Sequence, residues 1–306
     1  MADLLSAERL QTLHMVRVHG TLAAAAEQLH LSPSAVSQQL AKLEREAGTA
    51  LLVPHGRGVR LTAAGEVLAA RADRIVAELR AARHDLSGID GAVAGPVRLG
   101  AIPSTVHTFL PGALTSLVAA HPAVAPEITE LEPEDGLPML QAGALDVQIV
   151  ESWDNLPLPR TPGTVWTPLL DDSASIVVPA DHPLADDEHL DAADLADEAW
   201  VAWSPRSRAN AWLQHTLRER GVEPDVRHTV TGYSTQFGLV AGLRAAALVP
   251  AMATAVAPPS TVARPLHPPL HRVVSAVHRT GRLGPAAARA IEELQRAAQE
   301  WRASAR

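Results

Sequence analysis

The segment 20–44 most constrains the fold, because its pattern is that of two short amphipathic helices joined by a tight turn. Its sequence is GTLAAAAEQLHLSPSAVSQQLAKLE. Thr21 can cap the first helix and Ser32 the second, and Pro33 falls at the first helical position, where its missing N–H costs nothing. This spacing predicts a helix-turn-helix, which places its second helix in the major groove of DNA. An ordinary helical hairpin is the alternative at this point.

The apolar residues of this segment indicate which face of the helices is buried. We expect an inward-facing set formed by Leu22, Ala26, Leu29, Leu31, Val36, Leu40 and Leu43. Polar or small side chains are left outward on the second helix, where they can meet base edges and phosphates. The predicted contacts to DNA are Ser34, Ser37, Gln38 and Lys42 on the second helix, with Thr21 on a phosphate.

Residues 53–61, VPHGRGVRL, predict a β-hairpin after these helices. Two short strands flank a glycine-bracketed turn that carries Arg57, and Thr62 then caps a further helix. Helices followed by a hairpin with a basic tip are typical of a winged helix-turn-helix, whose wing contacts the DNA backbone or minor groove. We therefore predict such a domain over residues 1–61, with Arg57 on a phosphate.

A long helix is predicted over residues 62–90, which contain no proline and show a seven-residue apolar rhythm. These apolar side chains form one row along the helix, which we call the seam. An exposed seam of this length favours a partner helix, so we predict a linker helix that forms a dimer. The predicted dimer contacts are Leu68, Ala72, Ile75, Leu79, Ala82 and Leu86. Packing of the helix on its own domain is the alternative.

Beyond a hinge that contains several glycines, predicted strands and helices alternate over residues 91–306. Strands are expected near 97–101, 125–131, 145–150, 174–178, 199–202, 226–230, 246–249 and 273–277, and helices near 105–120, 135–142, 207–219, 234–243 and 285–301. The alternation predicts parallel α/β sheets in two lobes. The expected lobes are lobe I, about 91–164 and 268–306, and lobe II, about 165–267, with the Pro-rich pieces 154–168 and 257–269 as crossovers.

Composition excludes several classes of site. The 306-residue chain has no cysteine, which excludes disulfides, thiolate metal ligands and cysteine nucleophiles. We find neither a secretory signal nor an uncharged run of membrane-spanning length, and we expect a cytoplasmic protein with no membrane partner. The net charge of −8 is segregated, because residues 171–198 hold ten acids and no Lys or Arg. We expect this acidic stretch to face away from DNA; a merely solvated loop is the alternative.

The chain resembles the LysR-type transcriptional regulators along essentially its whole length. The resemblance is strongest at Gly20-Thr21-Leu22, Leu31-Ser32, Val36-Ser37, Leu43-Glu44 and Val59-Arg60-Leu61-Thr62-Ala63-Ala64-Gly65, with weaker matches at Leu99-Gly100-Ala101, Leu145-Asp146-Val147, His182-Pro183-Leu184 and Leu248-Val249-Pro250. It implies an α/β fold with a winged helix-turn-helix, a dimerising linker helix and a two-lobed effector-binding domain of the periplasmic-binding-protein (type 2) kind. It also implies a homotetramer that binds double-stranded DNA and a small-molecule effector.

Candidate effector contacts lie where predicted strands end and helices begin. Ser104 and Thr105 follow one strand, and the free N–H groups of a helix N-terminus favour an anion; simple capping is the alternative. The other candidates are Trp153 at the crossover and Ser204, Arg206, Tyr233, Ser234 and Phe237 in the second lobe. From these residues we predict that the effector is a small carboxylate.

No enzymatic function is expected, because the chain lacks a nucleophile elbow, a phosphate-binding glycine loop and a zinc-protease motif. His267 and His271 lie in a Pro-rich segment that cannot form one regular helix, so we expect no metal and no cofactor. Two other classes of protein stay open. One is an architectural DNA-binding protein with a constitutive oligomerisation domain, and the other is an enzyme whose two-lobed domain is catalytic.

Overall fold

A computed structural model describes residues 5–55, 58–89, 93–281 and 283–304 of the chain. Within these ranges no helix is both long enough and apolar enough to cross a membrane. The fold divides into two compact units: the first holds the elements up to the long helix α4 and also residues 139–144, and the second holds the rest. The predicted contact Arg57 lies outside the described residues.

The first unit follows the order expected for a winged helix-turn-helix. Its elements are α1 (Ala7–His19), α2 (Leu22–Gln28), α3 (Pro33–Ala47), β1 (Leu52–His55), β2 (Gly58–Leu61) and α4 (Ala63–Ile89). The predicted caps are confirmed: Thr21 Oγ1 accepts from the amide of Ala24 and Ser32 Oγ from that of Ala35, each at 3.1 Å. The helix-turn-helix therefore starts and turns where the local chemistry places it.

Helix α1 covers part of α4 and changes the interpretation of the long seam. Ala72 is completely buried and Leu68 half-buried in the core that α1, α2 and α3 share with α4. Asp73 ties the two helices together, since it contacts Arg17 and lies 2.5 Å from His14 Nδ1. Ala72 is thus unavailable to a partner chain, and packing on its own domain accounts for it.

The rest of the predicted seam is exposed where the structure describes it. Ile75 and Leu79 are 40% and 52% exposed, and Ala82 is exposed as well. The side chain of Leu86 lies outside the described set. Leu31 is a correction within the helix-turn-helix: it is exposed rather than inward-facing, because it occupies the turn between α2 and α3.

Gly65 allows the start of α4 to pack closely against Leu51, which directly precedes the wing hairpin β1–β2. β1 and β2 pair antiparallel, with Leu52 opposite Leu61. A Cβ atom on Gly65 would lie 2.1 Å from the carbonyl oxygen of Leu51 and 3.1 Å from Leu61 Cδ2. Only a glycine permits this approach of helix to backbone.

The second unit is an α/β structure whose main sheet is mixed rather than wholly parallel. Its helices are α5 (Pro103–Val106), α6 (Leu110–Ala120), α7 (Pro133–Gln141), α8 (Arg208–Glu219), α9 (Tyr233–Leu243) and α10 (Pro285–Ser304). Its strands are β3 (Gly95–Ala101), β4 (Val124–Glu130), β5 (Val147–Trp153), β6 (Thr164–Pro179), β7 (Leu190–Asp191), β8 (Ala199–Trp203), β9 (Asp225–Val230), β10 (Ala247–Pro250), β11 (Thr261–His267) and β12 (His271–Arg279). β3 is parallel to β4 and β5, and β8 to β9, whereas β12 is antiparallel to β5 and β6.

The 16-residue strand β6 runs through both lobes of this unit. Residues 164–173 pair with β12, and residues 174–179 pair with β10 and β11. Leu169 and Leu170 belong to the core around β3 and α10, whereas Ile176 and Val178 belong to the core around α8. Both predicted Pro-rich crossovers thus contain strand: β6 begins at the end of the first, and β11 lies in the second.

Candidate functional site

A small cleft lies within the second unit. The polar and aromatic residues that line it are Ser104, Glu132, Glu151, Trp203, Trp212 and Tyr233, with apolar side chains between them. The cleft therefore combines a wall of polar groups with a wall of aromatic rings.

The polar wall is built at the carboxyl ends of three parallel strands. Ser104 follows β3, Glu132 follows β4, and Glu151 lies near the end of β5. Because β3 is parallel to both of its neighbours, these ends meet at one edge of the sheet. Ligands of open α/β sheets bind at such an edge.

Arg272 lies behind the polar wall and is completely buried. Its guanidinium donates to Asp172 Oδ2 at 2.7 and 2.9 Å, to Ser104 Oγ at 3.1 Å and to Glu151. Burial opposes the charge, but Glu151 and Asp172 outweigh it, so the pKa of Arg272 lies above its usual range. The charge of Arg272 is thus compensated by protein carboxylates.

Glu132 is the carboxyl group of the cleft that forms no side-chain hydrogen bond or ion pair within the described part of the chain. It is partly buried, and burial raises its pKa to about 8, with further contributions from the carboxylates of Glu151 and Glu134. The positive charge of Arg272 lowers the pKa of Glu132, but by less than these contributions raise it. Near neutral pH Glu132 is therefore largely protonated.

Ring-to-ring contacts hold the aromatic wall in place. Trp153 stacks on Trp212 with ring centroids 4.0 Å apart, and Tyr233 contacts Trp203 edge to face at 5.0 Å. Trp203 Nε1 donates to Gln236, whereas the buried Nε1 of Trp212 has no partner among the described residues. Burial raises the pKa of Tyr233 well above its ordinary value, so its hydroxyl stays protonated.

Two of the eight predicted effector residues, Ser104 and Tyr233, line the cleft. Thr105 is buried, and its hydroxyl donates to the carbonyl of Ile102; it does not cap the helix, whose N-cap is Ile102 with no side-chain cap hydrogen bond. Trp153 and Phe237 are core residues, Ser204 is half-buried and not part of the cleft lining, and Arg206 and Ser234 are exposed. The helix that begins at Pro103 is a single turn, so it offers little of the dipole on which the anion prediction depended.

Sequence reasoning missed Glu132, Glu151 and Arg272. Both glutamates come at or just after the end of a strand, which is the signal that identified Ser104. Arg272 interrupts the apolar strand segment HRVVSAV, and an arginine in such a run indicates a buried and paired charge.

The exposed face of α3 carries the residues predicted to contact DNA. Ser34, Ser37, Gln38 and Lys42 are all exposed, while Val36, Leu40 and Leu43 are buried on the opposite face. Thr21 is exposed as well, and its hydroxyl oxygen caps α2. Lys42 is the only lysine in the chain.

Two family profiles match the chain. The profile described as the bacterial regulatory helix-turn-helix protein, lysR family, matches residues 7–66, and the LysR substrate binding domain matches residues 90–299. The regulator MetR of Salmonella typhimurium is 32% identical over 71% of this chain and 66% of its own length. The probable regulator LrrA of Synechococcus elongatus is 30% identical over 88% of each chain.

Solved structures show the same fold. Full-length OxyR from Pseudomonas aeruginosa superposes with a TM-score of 0.70 at 24% identity and covers 97% of this chain and 98% of its own. Full-length CbnR in complex with its target DNA superposes with a TM-score of 0.65 at 23% identity over 95% and 99%. With its winged helix-turn-helix and two-lobed α/β domain, the chain belongs to the LysR family of DNA-binding transcriptional regulators.

Proposed function

We propose that the cleft of the second unit is the effector site of this regulator and that the outer face of α3 contacts DNA. The observation that carries the proposal is the meeting of three polar residues at the carboxyl ends of β3, β4 and β5 with an aromatic wall from the other lobe. Effector binding then shifts the population of lobe arrangements and, with it, promoter binding. We infer that the regulator is cytoplasmic and acts by binding rather than by catalysis.

Lys42 is expected to supply a phosphate contact, because it is a cation on the exposed face of α3. Lys42→Ala should weaken binding on every promoter fragment and should reduce the slope of log K against log salt by about 1 for each bound subunit. Fluorescence anisotropy over a salt series measures both quantities. Gln38→Ala should instead change the preference between fragments. Equal losses on every fragment at every salt concentration for both variants would contradict this division of roles.

The single lysine also allows a direct footprint. Apart from the chain's terminal amine, an amine-acylating reagent has only Lys42 to modify. DNA bound along α3 should protect Lys42, as read by mass spectrometry of the digested protein. Equal acylation with and without saturating DNA would show that Lys42 does not face the duplex.

We propose that the exposed apolar residues of α4, Val67, Ile75 and Leu79, pair with α4 of a second copy of the chain, and that such dimers form a homotetramer. Leu79→Ser should lower the mass measured by light scattering toward that of a smaller assembly, because it places a hydroxyl in an apolar seam. Val118→Ser is the matched control, since Val118 is an exposed apolar residue on α6. An unchanged mass for Leu79→Ser at low protein concentration would argue against pairing through α4.

A further inference from the structure

We propose that the cleft recognises a small molecule that carries an ammonium group on an apolar body, and not the carboxylate that the sequence favoured. This inference rests on the proposed function of the cleft as the effector site. Three features of the cleft support it: the sign of its charges, its aromatic wall and an unpaired acid.

The charges of the polar wall oppose an anionic ligand. Glu132 and Glu151 both line the cleft, and none of the lining residues that the structure describes is Lys, Arg or His. Arg272, which donates to Ser104 of the cleft lining, is already shared by Glu151 and Asp172. An anion here would find no free cation in the cleft lining and would oppose the ionisation of Glu132, whereas a cation can pair with the Glu132 carboxylate.

The aromatic wall suits the same class of ligand. The rings of Trp203, Trp212 and Tyr233 line the cleft, and the faces of such rings attract ammonium groups and pack on apolar bodies. These three rings therefore offer a surface for the apolar body of the ligand.

Glu132 is the group that would receive the ammonium. It forms no ion pair in the described part of the chain, so a ligand cation would not have to displace a protein partner. Its surroundings are Glu130 from β4, Glu134 from α7, Glu151 from β5, Arg272 from β12 and, across the cleft, Tyr233 from α9.

The ionisation of Glu132 makes recognition of a cation depend on pH. Its pKa is about 8 in the free protein because of burial and of the acids around it. An ammonium stabilises the carboxylate form, so binding releases a proton and affinity rises with pH through the free-state pKa. For a cation that remains charged, the dissociation constant should fall by about eightfold between pH 7.0 and 8.5.

A charge series on one ring tests the proposal. Benzylamine, benzyl alcohol and benzoate have nearly the same size but carry positive, zero and negative charge at pH 8.0. Each is titrated into the 306-residue chain and followed by calorimetry and by tryptophan fluorescence, since Trp203 and Trp212 line the cleft. We expect benzylamine to bind with a dissociation constant of about 1 mM, as suits a fragment of this size, and at least tenfold more tightly than benzoate.

Glu132→Gln should weaken benzylamine binding by about tenfold and remove its pH dependence, because the side chain keeps its shape but cannot ionise. Glu134→Gln is the matched control, because it removes a carboxyl group two residues after Glu132 that is not part of the cleft lining. It should leave most of the affinity and the pH dependence in place. Urea unfolding of both variants verifies that the fold is kept.

The possible outcomes separate this inference from the proposed function. Benzoate binding as tightly as benzylamine, with Glu132→Gln improving it, would overturn the ammonium class and leave the cleft as the effector site. Benzylamine binding that Glu132→Gln does not weaken would overturn the role of Glu132 and, with it, this proposal. If none of the three compounds binds at 10 mM, while promoter binding is intact, both the inference and the assignment of the cleft as effector site fail.

Discussion

Replacing Arg272 with methionine should lower the free energy of unfolding of the second unit by about 3–5 kcal/mol. The guanidinium is completely buried and balances Glu151 and Asp172, so its removal leaves two buried carboxylates without a counter-charge. All six tryptophans lie between residues 153 and 301. Tryptophan fluorescence in a urea titration therefore reports the second unit without a contribution from the first.

Two controls identify the cause of that loss. Arg296→Met removes an arginine with two ion pairs on the exposed face of α10 and should leave the urea midpoint nearly unchanged. The triple variant Arg272→Met, Glu151→Gln, Asp172→Asn should recover much of the stability, because it no longer buries unpaired charges. A loss below about 1 kcal/mol for Arg272→Met alone would mean that solvent reaches the two carboxylates.

Gly65→Ala should destabilise the first unit by about 3 kcal/mol and abolish promoter binding at ordinary protein concentrations. The added Cβ would overlap the carbonyl oxygen of Leu51 at 2.1 Å, and a backbone atom cannot move aside as a flexible side chain can. Heating is followed by helical circular dichroism, which reports both units, and by tryptophan fluorescence, which reports only the second unit; the loss seen by circular dichroism alone measures the stability of the first unit. Fluorescence anisotropy measures binding.

The matched control for this variant is Gly112→Ala in α6, where a Cβ would meet nothing within 4 Å. That substitution should stabilise slightly, because alanine has the higher helix propensity. Wild-type melting and DNA affinity for Gly65→Ala would contradict the packing of α4 against the chain before the wing.

The helix-turn-helix could be predicted from sequence because its signals are local. Thr21, Ser32 and Pro33 occupy the positions that caps and helix starts require, and the apolar spacing of α3 identifies its buried face. The seam of α4 was predicted less well. The seven-residue spacing of apolar residues in α4 indicates that Ala72 is buried. Whether α1 or a second chain buries it depends on tertiary packing.

The cleft was harder to predict, because its residues are far apart in sequence. Ser104 was found from the strand end that precedes it, yet its hydroxyl faces the guanidinium of Arg272, which is 168 residues away. No short-range pattern reveals that pair. The sign of the cleft's charge depends on the same pairing, which no local sequence pattern reveals. The carboxylate effector was instead predicted from the dipole of the helix that begins at Pro103, and this helix is only one turn long.

The continuity of β6 has a mechanical consequence for the regulator. The strand pairs with neighbours in both lobes, with one irregularity at Leu169, and large bending would break this pairing. We therefore expect the two lobes to move relative to each other by a twist of small amplitude and not by free rotation. The free energy of binding a small ligand then produces a modest change in the angle between the two lobes, which a multi-subunit assembly on a promoter can amplify.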